Sequence, residues 1–272
     1  MQQTLIIEAG RTERQYWRDL WKFRELFYFL AWRDFLIRYK QTVVGIAWAL
    51  VRPFLMMLAL TMVGKIGKLP TGGAPYALFF FCGLLPWQFF STALAESGNS
   101  LVTNANLVSK IYFPRLVVPA SSVIVSFVDF LIAAIFLVVL MFCYHFVPPT
   151  QIIFIPLFVM LIFAASLGVG FWMAALTVQY RDFRFVIPFV VQFGIFVSPV
   201  FMMTSHVPER WRLLYSINPI VGIIDGFRWC ILGEGNTVFP QEIALSVVIT
   251  AFLVFSGLWY FRKTERTFAD II

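Results

Sequence analysis

Three ionisable side chains stand inside long apolar runs of this sequence: Arg52, Glu96 and Asp129. Each would cost about 2.5–3.5 kcal/mol at the centre of a membrane helix, so each needs a reason to be there. A proton relay needs several such groups facing one cavity, and lone charges do not make one. Arg52 therefore reads as lying near a headgroup layer and Asp129 as a satisfied contact in a bundle, with a pathway or gate as the competing reading. His145 and His206 are far apart and have no partner at ligand spacing, so no metal site is expected. Cys82, Cys143 and Cys230 are scattered; the first two fall in apolar runs and read as small buried hydrophobes rather than a disulfide framework. The sequence contains no G-x-x-x-x-G-K-[ST], G-x-S-x-G or H-E-x-x-H motif, so neither nucleotide binding by a phosphate loop nor hydrolase chemistry is expected on this chain.

The aromatic residues offer a different chemistry. They make up 18% of the chain, with 32 phenylalanines. YALFFFCGLLPWQFF carries Tyr76, Phe79, Phe80, Phe81, Trp87, Phe89 and Phe90, and FGIFVSPVF carries Phe193, Phe196 and Phe201 beside Pro199. Flat rings stack on the C–H faces of sugars and can seal an empty channel. These ten residues are therefore the candidates for pore lining or cargo contact, with lipid-facing and interfacial positions as the alternative for any one of them.

Such residues must be positioned by membrane helices. Of the 272 residues, 60% are hydrophobic and only 13% charged. An ordinary soluble domain has about 25% charged residues, so a water-soluble globular protein is excluded, as are disordered and collagen-like chains. A span needs about 20 apolar residues, and six segments qualify: 43–64, 76–95, 116–144, 151–178, 186–203 and 240–261. No cleavable signal peptide is expected. An even count puts both termini on one side. Fifteen Lys and Arg then share that side, in residues 1–42, in the loops after spans two and four, and after span six. Only Lys65, Lys68, Arg210, Arg212 and Arg228 lie opposite. Basic residues collect in cytoplasmic loops, so both termini are expected there. The net charge of +7 becomes an orientation signal and a contact for anionic lipid, not for nucleic acid.

Two further elements are expected. From Arg14 to Lys40, Arg14, Arg18, Lys22, Glu25 and Arg33 share one helical face, and Trp17, Leu20, Trp21, Tyr28 and Phe35 another. That pattern fits a helix lying in the membrane interface, or one packed on a partner domain. It divides the chain into a cytoplasmic N-terminus, 1–42, and a six-helix transmembrane domain, 43–272. The run from Ile220 to Leu232 is too short and too charged to cross, and fits a re-entrant or interfacial hairpin on the outer face.

Five strings together resemble the membrane subunit of polysaccharide-exporting ABC transporters, the O-antigen, capsule and teichoic-acid permeases. They are YKQTVVGIAWALVRPFLMM (39–57), GLLPWQFF (83–90), NANLVSKIYFPR (104–115), QYRDFRFVIPFVVQFGIFVSPVF (179–201) and NPIVGIIDGFRWCILG (218–233), in the family's order. The resemblance implies an all-α integral membrane fold with six spans, an N-terminal interface helix and an outer re-entrant hairpin. It implies a homodimer in the bacterial inner membrane with two copies of a cytoplasmic ATPase that binds ATP and Mg. Coupling to that ATPase would fall to Arg18, Lys22, Asn104, Asn106, Lys110, Arg181, Asp182 and Arg184. The outer hairpin would carry Asn218, Pro219, Asp225 and Arg228, and spans one and five would line the pore. The implied activity is non-enzymatic: outward movement of a lipid-linked polysaccharide, foremost O-antigen, with capsule and teichoic acid as alternative cargoes. An enzyme acting on lipid-linked sugars would need an acidic or histidine cluster at one face. A small-solute channel would need a polar selectivity ring, although an aromatic-lined channel remains the alternative of a different class.

Overall fold

The computed structural model describes residues 18, 20–40, 47–233 and 239–271, and the described residues are helical with connecting turns and no strand. The N-terminal positions Arg14 and Trp17 lie outside them. Among the described residues, five helices are long and apolar enough to cross a membrane. They are α2 (Trp48–Ile66), α3 (Tyr76–Thr103), α5 (Val117–Cys143), α6 (Ile155–Gln179, entered by a 3-10 turn at Thr150–Phe154) and α10 (Pro240–Thr264). Shorter helices complete the chain: α1 (Arg24–Tyr39), α4 (Ala105–Lys110), α7 (Phe183–Gly194), α8 (Glu209–Tyr215), α9 (Pro219–Leu232) and α11 (Phe268–Ile271).

One expected span differs. The segment anticipated at 186–203 is the 12-residue α7, followed by turns and bends over 195–202. At about 1.5 Å per residue α7 is about 18 Å long, well short of the ~30 Å hydrocarbon layer. Pro199 explains why helix does not resume: it has no N–H to donate and pushes its predecessor out of helical geometry. Hydropathy measures solvent preference and cannot see that break.

The bundle is built around α3, which packs against α2, α5, α6, α7 and α9. Of its best apolar window, 89% is buried, against 17–33% for the other four long helices. Two apolar cores stack along it. One gathers Phe79, Phe89, Phe130, Phe158 and Phe227 toward the α9 end. The other gathers Leu30, Leu101, Val108, Phe113, Val178, Phe261 and Phe268 at the α4 end, where α1 also docks. Small residues allow the closest approaches. A Cβ on Gly257 of α10 would lie 2.3 Å from the Gly168 carbonyl oxygen of α6, and one on Gly226 of α9 would lie 2.0 Å from the Phe158 ring.

Candidate functional site

The ten aromatic candidates divide sharply. On α3, Phe79, Phe80, Phe81, Trp87, Phe89 and Phe90 are all buried within the protomer, and Tyr76 is half-buried. Phe81 meets Phe136 edge-on at 5.3 Å, Phe89 touches Phe127, Phe130 and Phe163, and Tyr76 stacks on Phe80. The Trp87 ring lies where a Cβ on Gly194 would come within 2.6 Å, so it packs against the end of α7. These rings form the core of one chain, and a cargo would meet them only by parting the bundle. Phe193 (56% exposed) and Phe196 (68%) do face outward, with Phe201 stacked on Phe196 at 5.3 Å. Sequence reasoning missed Phe185 and Phe189, which are also exposed. Their i, i+4, i+8 spacing with Phe193 was the available signal.

At the α4 end, the residues assigned to coupling lie on exposed or half-exposed positions. Arg18, Lys22, Asn106, Lys110, Arg181, Asp182 and Arg184 are exposed, Arg181 and Asp182 in the turn from α6 into α7 and Arg184 in the first turn of α7. Asn104 is different. It sits at the junction of α3 and α4, and its side-chain oxygen accepts from Arg33 Nη2 at 2.6 Å. Arg33, expected on the solvent face of the amphipathic helix, therefore turns toward the bundle and also pairs with Asp34 at 2.7 Å. The aromatic face of α1 remains open, with Tyr28 and Trp32 exposed, as is Trp21 just before the helix.

Two of the intramembrane charges, Glu96 and Asp129, are not lone. Arg38, in the last turn of α1, reaches Asp129 of α5 at 2.5 Å and Glu96 of α3 at 2.9 Å. The Tyr39 hydroxyl donates to the second oxygen of Asp129. Burial lowers the Arg38 pKa, but Asp129 and Glu96 outweigh it and hold the guanidinium above its ordinary value. These groups, with Arg52, Gln88, Thr92, Trp48 and Phe89, line a cavity of about 360 Å³ between α1, α2, α3 and α5. The reading of Asp129 as a satisfied contact fits this geometry. The idea that the charges stand alone does not, because the joint depends on Arg38, 91 residues away in sequence.

At the opposite end, α8 and α9 form a helix–turn–helix whose second arm is buried. Asn218 caps α9, accepting from the Ile220 N–H at 3.1 Å, with Pro219 at the first helical position. Asn218 Nδ2 also donates to Ser198 Oγ at 3.0 Å, stapling the hairpin to the turns after α7. The helix ends at Gly233, whose φ of +84° few other residues adopt. Arg228 is fully buried. It donates to the carbonyls of Pro199, Val200 (2.7 Å), Met202 (3.3 Å) and Phe79 (3.4 Å), and lies 3.9 Å from the centre of the Phe79 ring. Asp225 stands 4.0 Å from it and accepts from the Thr204 hydroxyl. Burial pushes the Asp225 carboxyl up to about 6, against the opposing pull of Arg228 and Thr204. Arg228 thus satisfies carbonyls left without partners by the irregular backbone after α7.

Cys82 and Cys230 are buried as free thiols, whereas Cys143, read as buried, is exposed at the end of α5. Among the described residues no group of His, Cys, Asp or Glu could hold a metal ion.

Residues 25–232 match the model of a protein family described as ABC-2 type transporter. Curated proteins named O-antigen export system permease protein RfbA are similar over most of their length. One from Klebsiella pneumoniae is 26% identical over 88% of this chain and 92% of its own. One from Myxococcus xanthus is 24% identical over 94% of this chain and 98% of its own.

Proposed function

This chain belongs to the ABC-2 type transporter family, and on that premise we propose that it is the membrane-spanning permease subunit of an ATP-driven exporter of lipid-linked polysaccharide. The observation that carries the reading is similarity to O-antigen export permeases along nearly the whole chain. The absence of a phosphate-loop motif supports a second requirement, that ATP and Mg are bound by a separate subunit. Two such ATPase copies would bind a homodimer at its cytoplasmic face, meeting α1, α4 and the turn at 180–184. Both termini would be cytoplasmic, in the bacterial inner membrane. The sixth crossing would be made by α7 together with the turns after it, backed on the outer side by the α8–α9 hairpin, which would be re-entrant. Irregular backbone is tolerated at membrane depth where protein covers it, and Arg228 supplies that cover.

In this reading ATP binding draws the ATPase copies together, α1 and α4 carry the movement, and a channel opens between protomers. The open apolar faces of α2 and α7, including Leu55, Met62, Phe189 and Phe193, would meet the second protomer or the channel. Phe193 and Phe196 are the cargo-contact residues this arrangement favours. O-antigen is the foremost cargo, with capsule and teichoic acid as alternatives. The test is reconstitution: vesicles holding this chain with its ATPase partner should move lipid-linked glycan on adding ATP. Translocation by the purified chain without an ATPase would refute the reading.

A further inference from the structure

Arg38 holds two carboxylates from two different membrane helices with one guanidinium. Asp129 belongs to α5 and Glu96 to α3, and both helices qualify as spans. Replacing such a charge cluster with apolar side chains often stabilises a protein, so simple cohesion is a weak reason for its presence. Its geometry offers a better one. Arg38 and Tyr39 are the final two residues of α1, and Arg33 one turn earlier is tied to Asn104 at the end of α3. The N-terminal half of α1 shows an open aromatic face, while its C-terminal end is fastened to the bundle at three points. Beside the fastening lies the cavity of about 360 Å³ walled by Arg38, Glu96 and Asp129, so this corner is not locked by close packing.

From this we infer that the Arg38–Asp129–Glu96 joint transmits displacement of α1 to α3 and α5. The role rests on the exporter reading, and Arg38 and Asp129 are positioning residues in it, touching no cargo. The physical basis is the short reach of charged hydrogen bonds. A donor–acceptor separation beyond about 3.5 Å breaks them. A displacement of α1 by a couple of ångströms must therefore either drag Asp129 and Glu96 along or sever both contacts. α3 and α5 pack extensively on each other, so a pull on both at one point moves the bundle as a unit.

The test uses the chain assembled with its ATPase in vesicles, and reads glycan export and ATP hydrolysis separately. Arg38→Gln combined with Asp129→Asn removes the closer pair together and leaves only the half-exposed Glu96 carboxylate without its partner. The joint predicts an assembled complex that hydrolyses ATP within twofold of wild type but exports at least tenfold less glycan per ATP. Arg38→Lys, which keeps the charge without the fork, should fall between. A wild-type export-to-hydrolysis ratio in the double variant overturns the inference. So does failure of the double variant to assemble, or a parallel fall of both activities, since the cluster would then hold structure rather than transmit movement. If the wild-type complex itself exports nothing, the exporter reading falls first, and the joint's role falls with it.

Discussion

Replacing Arg228 should destabilise the α8–α9 hairpin, and the size of the effect can be worked from its contacts. Arg228→Met keeps the length and apolar stem but removes every donor. The carbonyls of Pro199, Val200 and Met202 then lose a buried partner, at about 1–3 kcal/mol each where nothing replaces it. Asp225 loses its counter-charge, and breaking a buried pair costs about 3–5 kcal/mol. Against this stands the removed desolvation cost of the guanidinium and partial relief through protonation of Asp225, which burial already favours. A net loss of about 4 kcal/mol follows, which for a chain of this size lowers the melting temperature by on the order of 10 °C. Arg228→Lys retains the charge and one or two donors and should lose about half as much. The thiols give the assay: Cys82 and Cys230 are buried and Cys143 is exposed. In a Cys143→Ser background, a thiol-reactive fluorophore reports unfolding alone. Adding Asp225→Asn to Arg228→Met should restore part of the loss. A melting temperature for Arg228→Met within about 2 °C of wild type would refute the reasoning.

Other expectations are narrower. Gly226→Ala places a methyl 2.0 Å from the Phe158 ring and should destabilise by about 1–3 kcal/mol in the same thermal assay, with Phe158→Leu restoring part of it. Lys110→Glu should weaken co-purification with the ATPase while membrane insertion, read by fractionation, stays intact. An impermeant maleimide added to spheroplasts should label Cys143 from outside and spare Cys82 and Cys230. Labelling of Cys143 only after lysis would invert the proposed orientation.

Most membrane helices were legible because a span is a composition pattern over about 20 residues. The expected 76–95, 116–144 and 240–261 correspond to Tyr76–Thr103, Val117–Cys143 and Pro240–Thr264. Two things were not. Phenylalanine is equally at home in lipid and in a protein core, so nothing in YALFFFCGLLPWQFF distinguished a pore wall from the central helix that Phe79 to Phe90 build. The charged joint was invisible for another reason: it pairs residues on α1, α3 and α5, and sequence proximity carries no information about such a contact. Arg228 combined both problems, since an arginine counted as an outer-loop charge is in fact fully buried. What could have flagged it was its neighbourhood, an arginine three residues after Asp225 in an otherwise apolar run.

The central claim is that this chain forms the route by which a glycan leaves the cell. Deleting its gene and measuring lipid-linked polymer on each side of the inner membrane tests that most directly. The account predicts polymer accumulating inside, with surface glycan lost and restored by the wild-type gene. Undiminished surface glycan in the deletion strain would contradict it.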